Sequence, residues 1–431
     1  MMMLDRTTPP AIRPMEGFTL AVPERRSLRN GVLLNVLRMG DEDVVRFDVL
    51  MRGGQWCQEQ PLQAIFTNRM LREGTRSYTS AQIAERLDFY GAWLDLSSSV
   101  NCNIVTLYTL GKYFERSAEI LASLLKEPVF PDDELSVVVN TNKRQFLVNA
   151  QRVESIARQW MARSLFGEGH PLGHLKEAAD YDRITPDALR RFYEAHYHSS
   201  NCTLYVSGKV SEDTLRCIER HFGDTPWGRE GAAPSVLPVF PIRPATEKRR
   251  LIEKPDALQS AVRLGSFTIG QLHPDYARMK VLTTLFGGYF GSRLMSNIRE
   301  EKGYTYGIAA GLVHYPDAGM VIIGCEAANE YVDPLVREVY HEMDRLCEEL
   351  VPSDELKMVK NYLMGDLCRT YESAFSVSDA WIMQDTAGLP DDFLERTAAA
   401  ICTIRPEELQ QTARNYLRKE NFLEVVAGKK V

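Results

Sequence analysis

Phe130-Pro131-Asp132-Asp133-Glu134-Leu135 returns later in the chain as Val351-Pro352-Ser353-Asp354-Glu355-Leu356. In each copy the hexapeptide follows an amphipathic stretch and opens a longer helix. Six residues alone would carry little weight, so the flanking order of elements decides. Before the first copy come strands over 31–38 and 44–51, read as neighbours joined by the turn Gly40-Asp41-Glu42. Helices follow over 61–72 and 80–90, then alternating strands over 92–99 and 103–110 and an amphipathic helix over 113–125. Before the second copy come strands near 249–252 and 261–266, a helix from Pro274, strands over 306–313 and 320–325, and a helix from Val332. The same order twice means an internal duplication.

A long helix after Pro131, a helix over 186–196, a strand over 203–207 and a helix over 212–222 complete the first half. Prolines 226, 234, 238, 241 and 244 then crowd together, and such segments are stiff and extended. The chain is therefore divided into a domain over 1–227, a linker over 228–245 and a domain over 246–431. The fold class expected is α+β, with two homologous halves forming a clamshell around a chamber.

Composition narrows the function. The chain has 431 residues, 44% hydrophobic and 25% charged, and a formal net charge of −7. That balance is globular, and the negative sign argues against a nucleic-acid footprint. No apolar run is long enough to cross a bilayer, and the amino-terminal segment, broken by Asp5 and prolines, does not read as a secretory signal, so a cytoplasmic protein is expected. The eight cysteines include no CxxC pair and are expected as reduced thiols. All eight histidines lie at or after His170, so no imidazole is available to a metal site built from the first 169 residues.

The strongest candidate for chemistry is Leu285–Gly307, LFGGYFGSRLMSNIREEKGYTYG. Ser292 reads as an N-cap, Gly303 as a left-handed stop, and Tyr304, Tyr306 and Ile308 as one face of a strand. A helix ending at a glycine and returning as a strand brings Arg299 and Tyr306 together. By themselves these two also suit a helix-end cation and a half-buried strand aromatic. His170 and His174 stand four apart, but Pro171 and Gly173 argue for a loop rather than a metal-binding helix; His196 and His198 read as solvent-facing or capping, and His341 lacks the second histidine of an HExxH pair.

This order of elements, with Met70-Leu71-Arg72-Glu73-Gly74-Thr75, Pro128-Val129-Phe130-Pro131, His170-Pro171-Leu172-Gly173, Val206-Ser207-Gly208, GGYFGSRL and REEKGYTYG, resembles the insulinase/pitrilysin family of zinc peptidases. More narrowly it is similar to the half-length branch that includes the mitochondrial processing peptidase subunits. Active members carry H-x-x-E-H directly before M-L-x-x-G-T. Alignment on Met70–Thr75 puts Ile65 and Arg69 at the histidine positions, Asn68 at the glutamate position and Gln145 at or near the third ligand. None of these can bind zinc well or serve as the base. Arg69 invites two readings, an ion pair with an inherited carboxylate or an exposed helix arginine.

The resemblance implies the opposite for the second half. Arg299 matches the family arginine that holds a substrate carbonyl, and Tyr306, seven residues on, matches the donor to the developing oxyanion. Gly287 and Gly288 belong to the substrate-facing glycine cluster, and Ser97 and Ser98 to the edge where a peptide adds as a strand. The expectation is a subunit with no cofactor of its own, working with a zinc-bearing homologous partner on a peptide substrate, with neither nucleic acid nor membrane involved and a homodimer left open. The alternative is an inactive scaffold or peptide-binding homologue.

Overall fold

The computed structural model describes residues 17–430, together with Thr7 and Met15. Two mixed sheets carry the architecture. The first contains β1 (Glu24–Ser27), β2 (Leu33–Arg38), β3 (Val44–Arg52), β4 (Trp93–Ser98), β5 (Cys102–Leu110) and β6 (Cys202–Gly208), in the order β1-β2-β6-β3-β5-β4. The second contains β7 (Arg249–Glu253), β8 (Gln259–Thr268), β9 (Thr305–Tyr315), β10 (Ala318–Ala328) and β11 (Leu423–Gly428), in the order β7-β11-β8-β10-β9.

Set β1 aside and the two orders superimpose strand for strand. The pairing sense agrees too: β2 with β6 and β7 with β11 are the parallel pairs, and the remaining pairs are antiparallel. The duplication read from the hexapeptides is thus present as topology. One detail differs. β2 and β3 are not neighbours, because β6, buried along its whole length, inserts between them, as β11 does between β7 and β8. Local alternation identifies a strand but carries no information about a partner arriving from far along the chain.

Each sheet is covered on both faces, so its central strands are buried almost continuously. On one face of the first sheet, Val45, Phe47, Val49 and Met51 of β3 pack into a core shared with helices Gln63–Met70 and Phe114–Lys126. Leu50 of the same strand points the other way, onto helix Ala374–Ala387, which belongs to the second half of the chain. The exchange is reciprocal. Helix Val153–Phe166 of the first half lies against β8 and β11, where Met161 and Leu165 pack on Ala261, Leu423 and Val425.

Apolar contact holds the exchanged helices. Trp381 and Ile382 are buried against the first sheet, and each such side chain contributes about 1.5–3 kcal/mol. The accompanying pair Arg52–Asp385, 3.2 Å apart and partly exposed, is worth about 0–1 kcal/mol. Burial wins by several-fold.

The segment after the first half carries no helix or strand from Thr225 to Lys248. It is nonetheless bound along the molecule: the amides of Arg243 and Ala245 donate to the carbonyls of Phe166 and Ser164, and Phe240 packs its ring on Trp56 and His170. Between the halves lies a cavity of about 1040 Å³, walled by the β4–β5 turn, the β9–β10 turn and the end of helix Ala374–Ala387. All eight cysteines are free. No helix among the described residues is long and apolar enough to cross a membrane.

Candidate functional site

Arg299 and Tyr306 do come together. The helical stretch Met295–Glu301 is wound as a π-helix, Gly303 turns the chain at φ +66°, and β9 begins at Thr305. The guanidinium carbon of Arg299 stands 4.5 Å from the ring centre of Phe290 and 5.8 Å from that of Tyr306. Both rings thus stand at cation–π distance from the one guanidinium. Tyr306 is 93% exposed, and its hydroxyl makes no hydrogen bond among the described residues.

That exposure has a backbone cause. β9 pairs with β10 as Cys325↔Ile308 and then Ala327↔Thr305, three residues spanned on one strand against two on the other. The extra residue is a β-bulge at Tyr306-Gly307, and such a bulge re-aims a side chain. The Thr305 hydroxyl staples it, donating to the Glu326 carbonyl at 2.6 Å and accepting from the Gly307 amide at 3.2 Å. The single face expected for Tyr304, Tyr306 and Ile308 is therefore corrected: Ile308 is buried while Tyr306 points outward. Gly307 inside a strand pattern was the available signal. Ser292 does not act as the expected cap, since its buried hydroxyl has no partner.

Gly287 lies in a second π-helical turn, Thr284–Gly288, pressed on β9. A Cβ there would come within 2.7 Å of the Ala310 amide nitrogen and Cβ, so glycine allows the backbone approach that seats the Arg299 segment on its strand. Gly288 is exposed beside it. Ser97 and Ser98 sit in the other half on β4, an edge strand paired only with β5. Ser97 faces a 350 Å³ hollow with Asp95, Arg46 and Asp379, whereas the Ser98 hydroxyl turns onto Asn103.

Around Asn68, one of the positions that the resemblance aligns with the zinc motif, the structure holds a polar lock. Asn68 is fully buried, its amide donating to the carbonyls of Ser97 (2.7 Å) and Ile104 (3.2 Å) while its oxygen accepts from the Tyr197 hydroxyl at 3.0 Å. Burial pushes that phenol well above its ordinary pKa, so it stays protonated as the donor. Ile65 packs on the first core. Arg69 meets neither expectation: it is half-buried, and its guanidinium donates to the Asn142 side-chain oxygen rather than to a carboxylate. Gln145 is exposed and bonds Asn149 at 3.4 Å. These side chains offer zinc no anionic donor. Among the described residues no group of three or more His, Cys, Asp or Glu side chains is placed to hold a metal ion.

The histidines serve structure. His170 is buried, stacks on Phe166, caps the Pro171–Gly173 turn through Nδ1 and lies 3.3 Å from Asp317 of the other half. His174 bonds Asp180 at 2.8 Å. His198, expected to be solvent-facing or capping, is buried against Ser200. His196 bonds Ser235 at 2.7 Å.

Comparisons with known proteins agree with this geometry. Residues 183–363 match the family described as "Peptidase M16 inactive domain". The "Uncharacterized zinc protease YmxG" of Bacillus subtilis is 23% identical over 314 residues, covering 72% of this chain and 75% of that protein. The "Non-peptidase homolog YmxG" of Helicobacter pylori is 25% identical over 244 residues, 56% of this chain and 55% of that one. Among solved structures, a peptidase M16 inactive domain from Pseudomonas fluorescens shares the fold with a TM-score of 0.84 at 22% identity, over 95% of this chain and 98% of that one. A chain of complex III2 from Candida albicans does so at 0.73 and 15% identity, over 94% and 95%. The fold is therefore the one seen in M16-type structures. The chain resembles the half-length M16-type proteins, and the stretch that matches their inactive domain takes in most of its second half.

Proposed function

We propose that this chain is the non-zinc subunit of a heterodimeric M16-type metallopeptidase, presenting Arg299 and Tyr306 to a homologous zinc-bearing subunit. The observation that carries the proposal is the outward-turned Tyr306, whose free hydroxyl stands beside a half-exposed guanidinium. A structural tyrosine would gain by burying its ring, whereas a bulge that exposes it makes a donor available to a group outside the fold. In the complex, the partner's zinc would polarise the scissile carbonyl. Arg299 would hold a neighbouring backbone carbonyl, and Tyr306 would donate to the oxyanion as it forms, an interaction stronger in the transition state than in the bound substrate.

The test is reconstitution. The chain alone should show no chelator-sensitive peptide hydrolysis, and hydrolysis should appear when an intact H-x-x-E-H homologue from the same source is added. Activity of the chain by itself, or a zinc subunit fully active without it, overturns the proposal. A second reading, an inactive peptide-binding scaffold, draws on the non-peptidase name of the Helicobacter pylori relative and on the buried Asn68 lock. It predicts stable pairing or peptide binding with no change in turnover when Tyr306 is replaced.

A further inference from the structure

The residues that replace the metal motif build a cavity of their own. Its volume is about 410 Å³, and Arg69, Arg158 and Lys176 stand in its wall with no aspartate or glutamate among the lining side chains. None of the three cations forms an ion pair with any described residue. Arg69 is held only by the neutral oxygen of Asn142. The carboxylate nearest in effect to Lys176 is Asp180, already committed to His174 and to the Glu177 amide. Arg69 is half-buried, whereas Arg158 and Lys176 are exposed at the cavity's edge. Three like charges lining one cavity with no carboxylate among them favour an anionic ligand there.

The rest of the wall narrows the anion. Gln145 and Gln159 add neutral amide donors, while Ile65, Phe146 and Tyr181 supply an apolar side. A cavity of this size with one apolar wall suits a carboxylate carried on a short hydrocarbon stem better than a free inorganic ion. It also lies on the helix whose Asn68 is bonded to the edge strand β4, the strand open to an added peptide.

We propose that the lost metal centre has become an anion pocket that takes a peptide carboxylate, from an acidic side chain or from a C-terminus, through Arg69, Arg158 and Lys176. The site inverts its family role: where a cation would sit among anionic and neutral ligands, an anion sits among cations. This inference rests on a peptide being a ligand of this chain, as the proposed function above requires.

Three fluorescent peptides of one backbone separate the cases: amidated with an internal glutamate, amidated with glutamine in its place, and the glutamine peptide with a free C-terminal carboxylate. Anisotropy on the full chain should show at least one carboxylate peptide binding tenfold or more tighter than the neutral one. The Arg69→Gln/Lys176→Gln double variant, with an unchanged circular dichroism spectrum, should erase the difference. Arg158→Gln, an exposed position, should reduce it if the double variant fails to fold. Which carboxylate peptide binds identifies the source. Equal affinity for all three overturns the anion pocket and leaves peptide binding intact. No binding of any peptide overturns both. Displacement of the carboxylate peptide by inorganic phosphate at equal or lower concentration would mark a free-phosphate site and overturn the peptide assignment.

Discussion

The guanidinium of Arg299 lies 5.8 Å from the ring centre of Tyr306, although the two belong to different elements separated by a left-handed glycine. This places a fixed cation next to a phenolic donor on an exposed lip. In the reconstituted complex, Tyr306→Phe should lower kcat by about 10²–10³ with little change in KM. Arg299→Ala should raise KM as well, because it removes a contact made before the transition state. Full turnover in either variant would leave the pair without a catalytic role.

The bulge that aims Tyr306 depends on one hydroxyl. Thr305→Val removes the bond to the Glu326 carbonyl and the acceptor for the Gly307 amide. A stability loss of about 1 kcal/mol is expected, together with a kcat loss in the complex approaching that of Tyr306→Phe, while Thr305→Ser should recover most of both. If Thr305→Val lost stability but kept full kcat, the staple would not be what positions the tyrosine.

Restoring the family's glutamate should damage the fold. Asn68→Glu puts a carboxylate against the carbonyls of Ser97 and Ile104, which now receive its amide hydrogens. Acceptor would face acceptor in a fully buried position, at a cost of about 1–3 kcal/mol or more. A thermal midpoint equal to that of the parent protein would show that the lock is not structural.

The two halves are tied through Arg46 of β3, which bonds buried Asp48 in its own strand and Asp379 of the exchanged helix. Arg46→Ala leaves the Asp48 carboxylate buried with its cation gone, a loss of about 3–5 kcal/mol. Asp379 is mostly exposed, so Asp379→Asn should cost no more than about 1 kcal/mol. Denaturant midpoints in the reverse order would contradict this hierarchy.

Acid should weaken the protein early. Burial lowers the pKa of His196, His198, His221 and His314 below the ordinary histidine value. As pH falls, the unfolded chain takes up these protons first. Their full contribution is present above about pH 6.5 and is lost as the pH drops through the lowered folded values. Denaturant midpoints measured between pH 7.5 and 5.5 should fall, and His221→Gln should flatten part of the slope. A midpoint that held or rose on acidification would refute the assignment.

Some of this was legible in the chain itself. The two Pro-acidic hexapeptides announced the duplication, because a repeated order of elements survives divergence that erases most identities. The missing histidines before His170 and the residue types of Ile65, Asn68, Arg69 and Gln145 were equally legible, since ligand chemistry is a property of residue type. The spacing of Arg299 and Tyr306 marked the second-half pair for the same reason.

Geometry decided the rest. Strands β6 and β11 enter their sheets from far along the chain, so no local pattern shows that they part β2 from β3 and β7 from β8. The exchange of helices Val153–Phe166 and Ala374–Ala387 depends on which sheet face is left bare, a matter of packing between distant segments. The outward turn of Tyr306 is a one-residue excess of β9 over β10, visible only once the register is known. Arg69, Arg158 and Lys176 come from three separate segments and meet only in the folded chain. What the sequence by itself determined was which residue types stand at each position and the chemistry they can offer, because those are properties of single side chains. Only the tertiary structure decided where these groups point and that Arg69, Arg158 and Lys176 line one cavity, because direction and charge density depend on contacts across the whole fold.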